Sequence, residues 1–258
     1  MIQQNSELKA ERLKVKIYNT RAEMGSGAAQ DVAQKIRELL LEQDFVNIIF
    51  AAAPSQSEFL SYLCLEEDVS WNRINAFHMD EYIGLDQKAP QSFAYFLKEA
   101  IFDKVPFHKV HLLQGTATDL EAECRRYSAL LEDFPVDIVC LGIGENGHLA
   151  FNDPHVADFR DPFAVKVVNL DRVSRQQQVH DDCFATIDEV PVSALTLTVP
   201  SLLKARFIYC MVPGTNKAQA IHHTLHSEVK ENYPSTALRK HPHAVLYLDV
   251  DSASKLKQ

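Results

Sequence analysis

An α/β fold, built on a mainly parallel sheet with helices on both faces, is what the sequence predicts. Three observations lead there. Strand-like runs alternate with helical patterns through most of the 258 residues. Two of those runs, Asn47–Ala52 (NIIFAA) and Val136–Leu141 (VDIVCL), are apolar apart from Asn47 and Asp137 and do not alternate. A strand of that kind is buried on both faces, which is the environment of a parallel sheet covered by helices. Finally, 46% hydrophobic and 24% charged residues are ordinary values for a globular chain, so disorder, collagen and coiled coil drop out.

The elements follow in order. Val15–Tyr18 reads as a short strand. Ala22–Gln43 is helical, with Val32, Ile36, Leu39 and Leu40 on one face. Asn47–Ala52 is a buried strand and Pro54–Leu65 a helix. Ile74–His78 is a strand, Ser92–Phe102 a helix and Val110–Leu113 a short strand. Asp119–Leu131 is a helix with Leu120, Cys124, Tyr127 and Leu131 in one stripe. Val136–Leu141 is the second apolar strand. Arg175–Phe184 reads as a helix. Leu195–Val199, Phe207–Val212 and Val245–Val250 are later strands, with helix Lys217–His226 between the last two. No repeat, low-complexity stretch or linker interrupts the series, so residues 1–258 read as one domain.

Charge and composition remove several functional classes. The formal net charge is −9, with 26 Lys+Arg against 35 Asp+Glu, and nucleic-acid binding needs a basic surface. No polybasic run, signal-peptide core or membrane-length apolar run is visible. Five scattered cysteines, with no CxxC pair, fit reduced thiols in a cytoplasm. His222, His223 and His226 share a helix, with His241 and His243 following. No acidic general base sits between them, so they read as a polar helix face and no metal is expected.

Ligand sites in parallel α/β sheets lie beyond the carboxyl ends of the strands. Four strand ends carry chemistry. Ala51-Ala-Ala-Pro-Ser-Gln-Ser-Glu58 offers Ser55 and Ser57 to an anion at a helix start, or else a plain capping box of Ser55 with Glu58. Phe77-His-Met-Asp-Glu-Tyr82 ends in the double carboxylate Asp80-Glu81. Partial burial would raise such a carboxyl from about 3.9 and make it a better base; the alternative is a solvated turn.

Glycine is scarce, with 8 in the chain, yet Gly142, Gly144 and Gly147 fall together in Leu141-Gly-Ile-Gly-Glu-Asn-Gly-His-Leu-Ala-Phe-Asn-Asp-Pro154. Formally this contains G-x-G-x-x-G, but Asn152-Asp153-Pro154 interrupts the helix that a dinucleotide site needs. It reads instead as a loop that presents His148, whose imidazole suits proton transfer at neutral pH, and Asp153. The fourth end, Met211-Val-Pro-Gly-Thr-Asn-Lys-Ala218, has Thr215 as an N-cap and Lys217 in the first helical turn. A cation there opposes the helix dipole by roughly 0.3–1 kcal/mol, a cost that a bound anion reverses. The acids at Glu66-Glu-Asp68 and Asp181-Asp182 read as solvated faces.

Taken together and in this order, the four sites resemble the glucosamine-6-phosphate deaminase/isomerase family. The resemblance runs over nearly the whole chain. It is strongest at Met79-Asp-Glu-Tyr-Ile-Gly-Leu85 and Gly142–Pro154, and continues through Ala194–Val199, Gly214-Thr-Asn-Lys217 and Leu238–Leu248. It implies the three-layer α/β fold shared with 6-phosphogluconolactonases, and conversion of glucosamine 6-phosphate and water to fructose 6-phosphate and ammonia without metal or organic cofactor. Carried over by position, Asp80 would shuttle a proton between C2 and C1. His148 would assist ring opening, oriented by neighbouring acids. Asp153 stands where the family usually has glutamate, and Asn146 where it has Asp or Asn. Ser55 and Lys217 match phosphate-binding positions, and Ala53, Glu81 and Gly144 complete the substrate-binding set.

This sequence departs from the family pattern in several places. The glycine-rich TGGTP-like turn is here Ala52-Ala-Pro-Ser-Gln56. The phosphate-binding arginine falls on Gln177, with Arg175 two residues away as a substitute. Asp153 is one methylene shorter than glutamate, which lengthens a relay to His148. The longer tail and basic effector pair of hexameric, allosteric members have no match, so activation by N-acetylglucosamine 6-phosphate is not expected. The protein would then be a monomer or homo-oligomer acting on a small phosphosugar. A lactonase on the same fold, whose loop reads like GxGxDGHTAS, and a non-catalytic sugar-phosphate sensor are the rival readings.

Overall fold

In the computed structural model, residues 6–256 are described. The chain runs β1 (Ser6–Ala10), β2 (Leu13–Tyr18), α1 (Arg21–Glu42), β3 (Val46–Phe50), α2 (Ser57–Cys64), β4 (Ile74–His78), β5 (Asp80–Tyr82), α3 (Phe93–Leu97), β6 (Lys109–His111), α4 (Leu120–Asp133) and β7 (Ile138–Leu141). It continues with β8 (Val165–Asn169), α5 (Arg172–His180), β9 (Ser193–Leu197), α6 (Val199–Leu203), β10 (Phe207–Val212), α7 (Ala218–His226) and β11 (Ala244–Asp249).

Eight strands form one sheet in the order β1-β2-β11-β10-β7-β3-β4-β6. Only the β1–β2 pair is antiparallel. The alternation of side chains along each strand divides the core between its two faces. On one face Ile48, Phe50, Ile138, Cys140, Tyr209 and Met211 pack with α1 and α2. On the other, Ile49, Val139, Leu141, Ile208, Cys210 and Val212 pack with Tyr127 of α4, Leu202 of α6 and Ile221 of α7. Both faces are therefore dry, which is why NIIF and IVCL contain no exposed position. No helix among the described residues is long and apolar enough to cross a membrane.

Local signals set the helix ends. The Thr20 hydroxyl accepts from Glu23 N at the start of α1, and Asp119 accepts from Ala122 N at the start of α4. Ser92 caps α3 through Tyr95 N. The helix read over Ser92–Phe102 is present, but after Leu97 it widens into a π-helical turn over Lys98–Phe102.

Three expectations change. Leu195–Val199 is not a strand of the main sheet: β9 is the centre of a separate three-stranded antiparallel sheet, β5-β9-β8. Its partners escaped notice for physical reasons. β5 is three residues long and acidic, and β8 exposes alternate residues, so neither shows a buried-strand signature. The helix read from Arg175 starts three residues earlier, because the Asp171 carboxylate accepts from Val173 N and Ser174 N. The Asp80-Glu81 pair is not a solvated turn, since both side chains are buried within β5.

The end of β4 is pinned from below. The fully buried Tyr127 hydroxyl accepts from His78 N at 3.1 Å and lies 2.9 Å from His78 O and 3.1 Å from His111 O. His78 Nε2 accepts from Leu113 N at 2.7 Å, and burial drives that imidazole's pKa down to about 3, so it stays neutral. Tyr127→Phe strands these backbone groups. It is expected to lower stability by about 1–3 kcal/mol, read as a lower urea midpoint at unchanged m-value.

Candidate active site

The four chemically marked strand ends belong to β3, β4, β7 and β10, which are consecutive in the sheet as β10-β7-β3-β4. From β3 the chain proceeds outward to β4 and β6, then returns to lay β7 on the other side of β3. That reversal opens a crevice at the carboxyl ends of β3 and β7. A narrow open cleft lies there, lined by Ala53, Ser55, Asp80, Gly144, His148 and Lys217 among others.

His148 is held by its Nδ1. Asn146 Oδ1 lies 2.8 Å away, Ser174 Oγ 3.0 Å and Asp153 Oδ1 3.2 Å. The Asn146 amide orients the set: its Nδ2 donates to Asp153 Oδ1 at 2.9 Å, which turns Oδ1 toward His148. Nδ1 therefore carries the proton, and Nε2 faces the cleft with no partner among the described residues. The shorter carboxylate of Asp153 still reaches His148 Nδ1 directly, and Asn146 bonds to both. Gly144 makes room for the ring. A Cβ there would stand 2.0 Å from His148 Cε1. Gly147, at φ +86°, takes the left-handed turn that folds the loop back on itself, with Gly147 N donating to Gly144 O.

Asp153 is fully buried. Burial alone would raise its pKa, but His148, Asn146 and the Asp171 N–H at 3.0 Å oppose that and hold it at about 2. Asp80 has the opposite environment. Its carboxylate lines the cleft, makes no hydrogen bond among the described residues, and is pushed well above the usual carboxylate range by burial and by neighbouring Glu81. Glu81 faces away from the cleft. It accepts from Tyr82 N, Phe93 N and Ala94 N and so anchors the start of α3, while burial lifts its pKa to about 7.

At the other end of the cleft Lys217 is buried, and its ammonium has no hydrogen bond or ion pair among the described residues. Burial lowers its pKa, and the charges of Asp181 and Glu145 act against that. Ser55 Oγ accepts from Gln56 Nε2 at 3.1 Å, and the same amide nitrogen lies 3.2 Å from Met211 O, tying the turn after β3 to β10. The Ser55–Glu58 capping box is not formed, since Glu58 pairs with Arg21 at 2.6 Å. Thr215 does not cap a helix through its side chain. Residues Thr215–Lys217 form a 3₁₀ turn after Gly214, and α7 begins at Ala218.

The structure thus brings Ala53, Ser55, Asp80, Gly144, His148 and Lys217 around one cleft, with Asn146 and Asp153 directly behind His148. Glu81, bonded to the backbone at the start of α3, and Arg175 are the corrections. The guanidinium of Arg175 donates to the carbonyls of Ile187 and Val190, so it braces α5 and does not reach the cleft. Gln177 and Gln178 line that wall instead. Sequence reasoning also missed Ser174 and Gln56. Neither stands in a motif; each is placed by a helix or turn whose packing partner is remote in sequence.

The ionised Asp153 contributes stability that is fully present above its ordinary 3.8 and is lost as pH falls toward about 2. Wild type should lose on the order of 2 kcal/mol through that window, and Asp153→Asn should lack that slope and be less stable at pH 7, in urea midpoints measured from pH 2 to 7.

Comparison with known proteins agrees with this geometry. The family model for glucosamine-6-phosphate isomerases/6-phosphogluconolactonase matches residues 19–247. A glucosamine-6-phosphate deaminase of Listeria monocytogenes is 35% identical over 229 residues, covering 89% of this chain and 96% of that protein. The solved structure of a monomeric glucosamine-6-phosphate deaminase superposes with a TM-score of 0.85 at 30% identity, over 93% of this chain and 98% of that one. A 6-phosphogluconolactonase from Thermotoga maritima, at 19% identity and TM-score 0.74 over 91% and 98% of the two chains, shares the fold. The chain belongs to the glucosamine-6-phosphate isomerase/6-phosphogluconolactonase family.

Proposed function

We propose that this protein converts glucosamine 6-phosphate, or a close 2-amino sugar phosphate, and water to the matching ketose phosphate and ammonia. One observation carries the reading: a single cleft holds an unpartnered, raised-pKa carboxylate, an imidazole with an open nitrogen and a buried unpaired cation. The first two suit an aldose–ketose shift, and the third suits a phosphate handle. The deaminases among its relatives support the same choice.

In this mechanism Lys217 and Ser55 hold the phosphate and fix the sugar along the cleft. Formation of Lys217's ion pair reverses the effect of burial on its ammonium, so anchoring is strongest for a dianion. His148 Nε2 takes the proton of the anomeric C1 hydroxyl and delivers it to the ring oxygen as the C1–ring-oxygen bond breaks and the C1 carbonyl forms. Asp153, through Asn146, keeps Nδ1 protonated and stabilises the imidazolium that forms. Asp80 then removes the proton from C2 and returns it to C1. The resulting C2 imine takes up water, and ammonia leaves. A carboxyl raised by burial is a stronger base than one in water, which is what abstraction from carbon requires.

Asp80→Asn should reduce ammonia release by about 10²–10⁴-fold or more. Its melting temperature should be unchanged or raised, because the substitution removes a buried carboxylate that has no hydrogen-bond partner. Turnover is measured by ammonia release over a panel of 2-amino-2-deoxyhexose 6-phosphates, with 6-phosphogluconolactone hydrolysis as control. Retained turnover in Asp80→Asn, or hydrolysis of the lactone alone, refutes the assignment.

A further inference from the structure

Gln178 has no assigned task, and its surroundings are unusual for a glutamine. Its side chain is 7% exposed, yet its amide makes no hydrogen bond among the described residues. The neighbouring Gln177 uses both ends of its amide, accepting from Glu145 N at 2.8 Å and donating to Asp181 Oδ2 at 3.2 Å. The amide reaches solvent in the cleft, so both its donor and its acceptor are open to a ligand. Gln178 also stands at a junction. It lines the catalytic cleft and a second, open lobe bounded by Pro54, Pro90, Phe93, Phe96 and Asp181. Asp181, half-buried, and the exposed Asp182 border this lobe.

We propose that Gln178 is a specificity-determining residue whose amide reads the C3–C4 hydroxyl edge of the sugar; this rests on the function proposed above. With the C6 phosphate at Lys217 and Ser55, and C1 and C2 at Asp80 and His148, the hydroxyls between them face the remaining walls. A primary amide both donates and accepts, which matches a hydroxyl and not a phosphate. The second lobe leaves room for an inverted hydroxyl, so the wrong epimer is rejected by an unpaired amide and not by a clash. A site that must leave a buried polar group unpaired discriminates strongly. Glucosamine and galactosamine 6-phosphates differ only at C4 and are the natural pair to compare.

The test is kcat/KM on both epimers for wild type and Gln178→Leu. Wild type should prefer one epimer by about tenfold or more. Gln178→Leu should lose about tenfold or more on that epimer and bring the ratio close to 1, with the inhibition constant of inorganic phosphate unchanged. A wild-type ratio near 1, a ratio carried unchanged into Gln178→Leu, or a loss matched by weaker phosphate inhibition overturns the proposal. Should Gln178→Leu fail to fold, Gln178→Met preserves the length of the chain and carries the same comparison. If wild type releases no ammonia from either sugar, the function fails first. Calorimetric affinities for the two sugar phosphates then decide this inference separately: a preference lost in the variant supports it, and equal preferences overturn it.

Discussion

The buried carboxylate of Asp153 is the tie on which the site depends. One oxygen receives Asn146 Nδ2 and faces His148 Nδ1, and the other receives Asp171 N. Those contacts join the glycine loop after β7 to the start of α5. Asp171 in turn caps α5, the helix that carries Ser174, Gln177 and Gln178 to the cleft. A charge removed from water must have its lone pairs filled, and filling them here fixes the tautomer of His148 and the position of the opposite wall.

The two acids of the site illustrate how surroundings divide labour between like groups. Asp153 is surrounded by donors and held near 2, so it stays ionised. Asp80, slightly less buried at the cleft wall, has no donor among the described residues, so its proton affinity rises. In the reaction proposed above, such a split suits Asp153 to orient His148 and Asp80 to act as the base. Glu81 shows why adjacency in sequence says little about role. Alternation along β5 turns it away from Asp80, where it binds three backbone N–H groups and holds α3 in place.

Much of the main sheet was legible because dry strands leave a plain trace. Val46–Phe50 is apolar but for Asn47, Ile138–Leu141 is apolar throughout, and the helix read over Ala22–Gln43 lies within two residues of α1. The small antiparallel sheet was not legible, because β5 and β8 lack that trace and gain their partners only when β9 lies between them. Asp80, His148 and Lys217 stood out as chemistry at strand ends. Arg175 and Gln178 could not be told apart on sequence, since which side of α5 faces the cleft depends on the Asp153–Asp171 contact.

By itself, then, the sequence determined the parallel α/β architecture, the loop made possible by Gly142, Gly144 and Gly147, and the residue types available at four strand ends. Periodicity and glycine placement act locally, and local chemistry can be read from one chain. Tertiary structure decided the rest. The order β10-β7-β3-β4 sets the four ends side by side. Burial separates Asp80 from Asp153, and the capped helix α5 turns Arg175 to the carbonyls behind it and Gln178 to the cleft. These outcomes depend on contacts between segments up to a hundred residues and more apart, as between Gln56 and Met211. Solvent exclusion and hydrogen-bond partners at such distances exist only once the sheet has formed.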